Sequence, residues 1–161
     1  MTNKNDGFNI IQSTINFGII GCVSSGKSTL LNSLFCDTYS DMKIKRTTMI
    51  PQVYQCDPKI NKNKNYAKEI RKKNEEINKK IIEQTENKDI LSIQDCYEQV
   101  YKVSPIENFI KIPAYTNIVI FDIPGLNDSQ TKNTYFSYLD ENFYKFDYIL
   151  FVIDIQQSLN K

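Results

Sequence analysis

The chain has 161 residues, which suits one domain, and 40% of them are hydrophobic, enough for a packed core. The formal net charge of +1 gives no strong field that would favour nucleic acid or a membrane surface. The absence of His excludes the commonest proton shuttle and metal ligand, and four widely spaced Cys without a C-x-x-C pair indicate free thiols rather than a zinc site.

The first predicted strand leads directly into a glycine-rich motif. Residues 1–14 are polar and lack a secretory pattern, so we expect a leader there. Ile15 to Ile20 predicts a buried strand, and Ser28 to Phe35 carries apolar residues at helical spacing. Between them, residues 21–28 read Gly-Cys-Val-Ser-Ser-Gly-Lys-Ser. Strand, glycine loop and helix in this order are the context that a phosphate-binding P-loop requires.

The middle of the chain predicts a loop, a strand, a long helix and another strand. Residues 37–51 are polar and end in a proline, which favours a loop, and Gln52 to Cys56 fits a short strand. Asn61 to Gln84 predicts a long helix within a helical insert over residues 61–100. Phe109 to Ile112 predicts a strand. The narrow apolar stripe of the long helix consists of Tyr66, Ile70, Ile77 and Ile81.

The last third of the chain predicts two more strands around a helix. Asn117 to Asp122 is strongly apolar and ends in a carboxylate, before a Pro-Gly break. Gln130 to Lys145 predicts a helix, and Tyr148 to Asp154 predicts a strand that is far too short to span a bilayer. The side chains that we expect to pack the helix are Tyr135, Phe136, Leu139, Phe143 and Phe146.

The order of these elements predicts the fold class. Near-continuous apolar strands separated by helices indicate a mostly parallel sheet covered on both faces. With the glycine motif, they predict an α/β P-loop NTPase fold, a three-layer sandwich with a helical insert.

The motif at residues 21–28 matches G-x-x-x-x-G-K-[ST] in full. Its glycines let the backbone curl so that several N–H groups point at one phosphate chain, and the next helix adds a positive dipole. We expect Lys27 to neutralise the outer phosphates and the Ser28 hydroxyl to bind Mg²⁺. The alternative, a chance glycine-rich turn, fits poorly with the flanking strand and helix.

Two further segments are candidates to complete the site. Asp122 and Gly125 form D-x-P-G at a strand end, where the carboxylate can hold the Mg²⁺ shell and the Gly125 N–H can approach the terminal phosphate. A strand-ending Asp before a Pro-Gly turn is also common without any such role. Thr47 and Thr48 lie in the polar loop, where Thr48 is the candidate switch threonine; without the other motifs both would be ordinary loop residues.

These segments, taken in order, resemble the dynamin superfamily over residues 15–159, with the stretch 61–100 matching in character only. Both arginines of the family's T-R-R-P switch are replaced here. The similar segments are residues 21–32 (G-x-x-S-S-G-K-S-x-L-L-N), 48–51 (the switch), 104–106 followed by 117–126 (a P-I segment, then D-L-P-G-L), and 151–154 followed by 157–159 (a strand, then an N-Q-x-L tail).

The resemblance implies that residues 1–161 are part of a dynamin-type GTPase domain, which binds GTP or GDP with Mg²⁺ and hydrolyses GTP. It also implies self-association through this domain, a link to membrane remodelling, and a cytoplasmic protein that can be peripheral at membranes. By the matching positions, the catalytic residues are Ser24, Lys27 and Thr48, and the metal ligands are Ser28, Thr48 and Asp122. The implied nucleotide contacts are Gly21, Ser24, Ser25, Gly26, Lys27, Ser28, Thr29 and Gly125.

Val23 departs from the pattern of dynamins proper, which carry Gln there to help position the attacking water. A valine side chain cannot form hydrogen bonds. Ser24 and Thr48 are left to orient water, or else hydrolysis is slow or absent. Other branches of the superfamily also vary at this position.

Base selection in this class normally uses an [NT]-K-x-D motif after a later strand, and the 161 residues do not contain it. We therefore expect a C-terminally truncated chain: a fragment, a split gene product or a degenerate copy. Our hypothesis is that this chain binds nucleotide weakly and aggregates through the uncovered strand from Tyr148 to Asp154.

Three classes of function stay open. The first is a dynamin-like GTPase, and the second is another P-loop GTPase of the Era-like or septin-like type, which share G-K-S-T-L-L-N. Era-like proteins, however, join the switch threonine to D-x-P-G by a short hairpin. The third is a non-catalytic remnant that binds nucleotide, favoured by Val23 and the missing base motif. An ATPase is least favoured.

Basic residues outnumber glutamates between Lys59 and Lys80, which leaves two interpretations. A basic helix can adsorb to anionic lipid, but aromatic and Leu anchors are scarce on the apolar stripe of this one. A solvated helix packed through its isoleucines is the favoured interpretation. No extended basic surface with interleaved aromatics points to a nucleic-acid partner.

Overall fold

The computed structural model describes residues 13–40, 50–57, 65–85, 106–110, 117–127 and 132–155. Strands and helices alternate among the described elements except where two strands, Ile106–Ile110 and Ile118–Asp122, follow one another, and a short 3₁₀ turn, Phe143–Lys145, follows the last helix. In chain order the elements are β1 (Ile15–Gly21), α1 (Lys27–Phe35), β2 (Gln52–Cys56), α2 (Tyr66–Thr85), β3 (Ile106–Ile110), β4 (Ile118–Asp122), α3 (Lys132–Asn142) and β5 (Tyr148–Val152).

The five strands form one sheet in the order β3-β2-β4-β1-β5. Strand β1 runs parallel to both of its neighbours, β4 and β5, and β2 runs parallel to β3. Strands β2 and β4 are antiparallel, so β2 and β3 run against the other three. The carboxyl ends of β1, β4 and β5 therefore meet at one edge of the sheet, where Gly21 and Asp122 lie.

Helices cover both faces of this sheet. On one face, Leu31 of α1 and Ile70 of α2 pack with the strand residues Ile19, Tyr54 and Ile120 in the largest buried cluster. On the other face, the α3 side chains of a second cluster are Tyr138 and Leu139, which pack around Ile123 with Phe121 and Phe146. The predicted three-layer α/β fold with a mostly parallel sheet is confirmed.

The long helix shows the predicted apolar stripe. Ile70 and Ile81 are buried, while Tyr66 and Ile77 are partly buried against the two clusters on that face. In the described residues α2 begins at Tyr66, five positions after its predicted start at Asn61. Strand β3 begins at Ile106, three positions before its own predicted start at Phe109. Residues 61–64 lie outside the described ranges.

Two of the side chains expected to pack α3 do not. Phe136 is 43% exposed and Phe143 is 59% exposed, so this prediction was wrong for both. The buried face of α3 consists of Thr134, Tyr135, Tyr138 and Leu139, and Phe136 lies off this face with the Lys132 ammonium 5.8 Å from its ring centre. Phe143 lies in the 3₁₀ turn, after the helix has ended.

Strand β5 forms one edge of the described sheet and leaves apolar side chains in solvent, as expected. Tyr148 is 59% exposed and Phe151 is 58% exposed, and Ile153 and Ile155 after the strand are also exposed. Over the described ranges, the helices are all too short or too polar to cross a membrane.

Several predictions fall on residues whose structure is not described. These are most of the leader (1–12), the loop segment 41–49 with Thr47 and Thr48, the end of the 61–100 stretch, residues 104–105, and the tail 157–159.

Candidate functional site

The glycine loop, residues 21–28, connects the end of β1 to the start of α1. Ser24 and Gly26 have left-handed backbone angles, with φ of 62° and 97°, and they alternate with an ordinary residue between them. This alternation makes successive N–H groups converge, which is how a backbone forms an anion site. Gly26 is also the N-cap of α1 and supplies no side-chain cap, so the positive end of the helix faces the loop.

Gly21, the first glycine of the loop, is required by the packing of β5. Its φ is 155°, and a Cβ atom there would lie closer than 3.0 Å to both the Val152 carbonyl oxygen and the Ser25 hydroxyl. The Ser25 hydroxyl is itself buried and has no hydrogen-bond partner within the described ranges. The loop therefore folds tightly at its start and holds a buried polar oxygen.

The Lys27 side chain lies back across the glycine loop. Its ammonium group donates hydrogen bonds to the carbonyl oxygens of Cys22, at 2.6 Å, and Gly21, at 3.1 Å. Burial lowers the pKa of Lys27 below its ordinary value of 10.5, while the charges of Asp122 and Cys22 act in the opposite direction. This cation is thus already partly dehydrated at the place where the sequence predicted phosphate binding.

Asp122 lies at the carboxyl end of β4 with no exposed surface. In the strand register it is paired with Ile19 of β1 on one side and with Gln52 of β2 on the other. The pKa of Tyr54 is raised well above its ordinary value of 10.0, first by burial and then by the charge of Asp122. Asp122 therefore acts electrostatically on both Lys27 and the buried core of β2.

The segment after β4 packs directly on the glycine loop. A Cβ atom on Gly125 would lie closer than 3.0 Å to the Val23 backbone and side chain, so this close approach depends on glycine. The Leu126 N–H donates to the Gly21 carbonyl oxygen at 3.2 Å, and the Val23 N–H donates to Asn127 Oδ1 at 2.7 Å. Sequence reasoning missed Asn127, although an asparagine two residues after the D-x-P-G glycine is a polar side chain suited to bonding a nearby backbone.

Asn32 fixes the beginning of the loop that contains the candidate switch threonine. Its buried side chain accepts hydrogen bonds from the N–H groups of Tyr39 and Ser40, both at 2.9 Å, and donates to the Ser40 carbonyl oxygen at 2.8 Å. Thr48 itself lies outside the described residues.

The structure brings the predicted nucleotide and metal positions together, apart from Thr48. Lys27, Asp122 and Gly125 converge on the glycine loop, on which Ser24 is exposed and Ser28 is half-buried, and the following residue, Thr29, is exposed on α1. Searching the described residues reveals no group of three His, Cys, Asp or Glu that could hold a metal. Mg²⁺ does not need such a group, because it is commonly bound by one or two protein oxygens together with phosphate oxygens and water. The Ser28 hydroxyl, the Asp122 carboxylate and the glycine loop are therefore suited to a nucleotide with bound Mg²⁺.

A family profile points to one family, and similar solved structures agree with it in fold. The profile of the family described as "Dynamin family" matches residues 18–161. Uncharacterized protein R618 of Acanthamoeba polyphaga mimivirus is 32% identical over 151 residues, which cover 89% of this chain and 24% of that protein.

Two similar solved structures come from work on an oligomerised bacterial dynamin pair, described as providing a mechanism for the long-range sensing and tethering of membranes. One has a TM-score of 0.51 and 18% identity over 93% of this chain; the other has a TM-score of 0.46 and 16% identity over 94%. Each match covers 24% of the solved chain, so the present chain spans about a quarter of the length of these relatives. Since the family profile covers most of the sequence, the chain belongs to the dynamin family.

Proposed function

We propose that this chain is the nucleotide-binding part of a GTPase, which binds GTP with Mg²⁺ and hydrolyses it to GDP. One observation carries the proposal: the buried Lys27 ammonium donates hydrogen bonds to carbonyl oxygens of the glycine loop and lies near the buried Asp122. Burial lowers the pKa of Lys27, and the charge of Asp122 acts to raise it. A cation and a carboxylate beside a glycine loop are groups that phosphoryl transfer uses. The choice of guanine follows from family membership, which also disfavours the Era-like and septin-like alternatives.

The roles of the glycine-loop residues, Asp122 and Gly125 are proposed from their positions, and the role of Thr48 is proposed from the resemblance alone. The N–H groups of the glycine loop bind the phosphate oxygens, and Lys27 neutralises their charge. Ser28 and Asp122, with Thr48, hold Mg²⁺, which when bound supplies further charge neutralisation at the phosphates. The proposed nucleotide contacts are Gly21, Ser24, Ser25, Gly26, Lys27, Ser28, Thr29 and Gly125.

Hydrolysis in this site is an in-line displacement. The oxygen of a water molecule bonds to the γ-phosphorus while the bond to the β–γ bridging oxygen breaks, and GDP leaves with that oxygen. Ser24 and Thr48 orient the water, and the Gly125 N–H donates to the terminal phosphate. The rate enhancement comes from positioning and charge stabilisation rather than from a covalent intermediate.

We also propose that the protein is cytoplasmic, self-associates through this domain and associates peripherally with membranes. Support comes from the bacterial dynamin pair, which is described as oligomerised and as tethering membranes. The apolar side chains exposed on β5 provide a surface suited to association.

Competitive binding tests the proposal. The chain is titrated with a fluorescent, non-hydrolysable GTP analogue and Mg²⁺, and unlabelled GTP or ATP is then added. We expect GTP to displace the probe at much lower concentration than ATP, and Lys27→Ala to abolish binding. Lys72→Ala, at an exposed lysine of α2, is the matched control and should bind like the wild type. Unchanged affinity in Lys27→Ala would refute the proposed site.

A second candidate function is nucleotide binding without turnover. It is favoured by the close packing of Val23 on Gly125, which places an apolar side chain beside the glycine proposed to meet the terminal phosphate. Single-turnover hydrolysis of GTP by the wild-type chain separates the two functions.

A further inference from the structure

A buried polar cluster lies beside the candidate site, and none of its members is among the proposed nucleotide or metal contacts. We call it the Gln52 cluster; its members are Gln52 and Tyr54 of β2, Asn74 of α2 and Asn108 of β3, all buried. The Gln52 Oε1 atom accepts hydrogen bonds from the Tyr54 hydroxyl at 2.7 Å, Asn74 Nδ2 at 2.7 Å and Asn108 Nδ2 at 3.3 Å. Three separate elements thus converge on one amide oxygen.

These hydrogen bonds fix the orientation of the Gln52 amide. Rotating the amide by half a turn would bring its NH₂ group against the Nδ2 donors of Asn74 and Asn108, which is unfavourable in a buried site. The Tyr54 hydroxyl serves as a reliable donor because burial keeps its pKa well above its ordinary value. The dipole of this amide is therefore held in one direction for as long as all three elements stay in place.

Asn74 is the contribution of α2 to the cluster. It lies four residues after Ile70 and three before Ile77, so it occupies a position in the apolar stripe that packs the helix on the sheet. A buried asparagine in such a stripe costs stability compared with an apolar residue, and it specifies one register of packing. The docking of α2 is in this way linked to the orientation of Gln52.

Gln52 also occupies a special place relative to the metal position. It is paired directly with Asp122 across the antiparallel β2–β4 ladder, so both side chains lie on the same face. It follows Pro51 and lies four residues after Thr48 in the sequence. Gln52 is thus next to the proposed metal ligand Asp122 in the sheet and close to the proposed metal ligand Thr48 in the sequence.

We propose that Gln52 is a positioning residue for the Asp122 carboxylate, and that Asn74 makes this positioning depend on the docking of α2. The proposal rests on the proposed function, because it assigns to Asp122 the role of a Mg²⁺ ligand. Residues that orient metal ligands commonly affect metal affinity by about tenfold or more. Loss of the Asn74 hydrogen bond to Gln52 would then weaken Mg²⁺ binding without any change in the glycine loop.

The test compares two kinds of substitution. Asn74→Leu removes a donor from Gln52 but keeps the stripe apolar, and Tyr54→Phe removes another donor with almost no change of shape. Ile81→Val is the matched control, since it weakens the packing of α2 without touching the Gln52 cluster. For each variant we measure the Mg²⁺ concentration for half-maximal binding of the non-hydrolysable GTP analogue, the affinity for GDP in EDTA, and the urea midpoint.

We expect Asn74→Leu and Tyr54→Phe to raise the half-maximal Mg²⁺ concentration by about tenfold and to leave GDP affinity in EDTA unchanged. Ile81→Val should lower the urea midpoint but not shift the Mg²⁺ dependence. The inference is overturned if neither donor variant shifts the Mg²⁺ dependence, or if Ile81→Val shifts it equally. A wild-type chain that binds no nucleotide at any Mg²⁺ concentration would instead overturn the proposed function, and this inference with it.

Discussion

At the scale of single residues, Gly125 packs closely on Val23 and so joins the segment after β4 to the glycine loop. The two residues are far apart in sequence, yet no Cβ atom fits on Gly125 without displacing Val23. The position next to the proposed terminal phosphate is therefore closely packed and apolar on one side.

Replacing Gly125 with Ala tests this packing. The added methyl group would meet the N and Cα atoms of Val23 as well as its side chain, so the glycine loop must shift. We expect Gly125→Ala to lower the free energy of unfolding by about 1–3 kcal/mol, measured by urea denaturation. Val23→Ala in the same chain should restore only part of this loss, because two of the contacts are with the backbone. Full restoration would show that only the side chains collide.

Val23→Gln tests whether the missing amide limits hydrolysis. A glutamine at this position can form a hydrogen bond to water, whereas valine cannot. We expect the single-turnover rate of GTP hydrolysis to rise by about tenfold or more. Val23→Leu, which enlarges the side chain without adding a polar group, serves as the control and should not accelerate the reaction. A rate that Gln leaves unchanged would mean that another feature limits turnover.

At the scale of elements, α2 contributes buried side chains to the main core, as does the helix that follows the glycine loop. Ile70 is buried in the cluster that contains Leu31 of α1 and Ile19 of β1. The charged residues of its other faces form exposed i,i+4 pairs, Lys72 with Glu76 and Lys79 with Glu83. This arrangement supports the interpretation of a solvated helix docked on the sheet.

The stability of the domain should therefore depend on the apolar stripe of α2 and little on its charges. Truncating a fully buried isoleucine typically costs about 2–5 kcal/mol, so we expect Ile70→Ala to lower the free energy of unfolding by this amount. Exposed ion pairs contribute little, so Lys79→Ala should change it by less than about 0.5 kcal/mol. Equal effects of the two substitutions, measured in the same urea titration, would contradict the docking of α2 through Ile70.

The sequence was sufficient to predict the glycine loop and β4 because both carry strong local signals. It was not sufficient for features that depend on which segments meet. Phe136 and Phe143 were expected to pack because aromatic side chains usually do, but helical spacing alone did not identify the buried face of α3. The burial of Asn74 does not follow from the sequence, because a polar residue between apolar positions of a helix is normally assigned to solvent. The antiparallel pairing of Gln52 with Asp122 depends on strand order, which local patterns do not encode.

At the scale of the whole molecule, the exposed edge at β5 should govern behaviour in solution. Among the described strands β5 is an edge strand, and it presents the exposed Tyr148 and Phe151 beside backbone groups that no other described strand pairs. We expect the 161-residue chain to associate with increasing concentration in sedimentation velocity experiments, and Phe151→Lys to reduce this association. Phe136→Lys, at an exposed phenylalanine of α3, is the comparison. If both reduce association equally, the edge is not the cause.

The sheet order also has a consequence for how this protein forms during synthesis. The strand that leads into the glycine loop lies between β4 and β5, the last two of the described strands in chain order. The partners of β1 are therefore translated on the order of a hundred residues after it, and such non-local pairings form slowly. On the ribosome, β1 cannot take its place in the sheet until β4 and β5 have emerged, so the glycine loop that follows β1 lacks its strand neighbours until then.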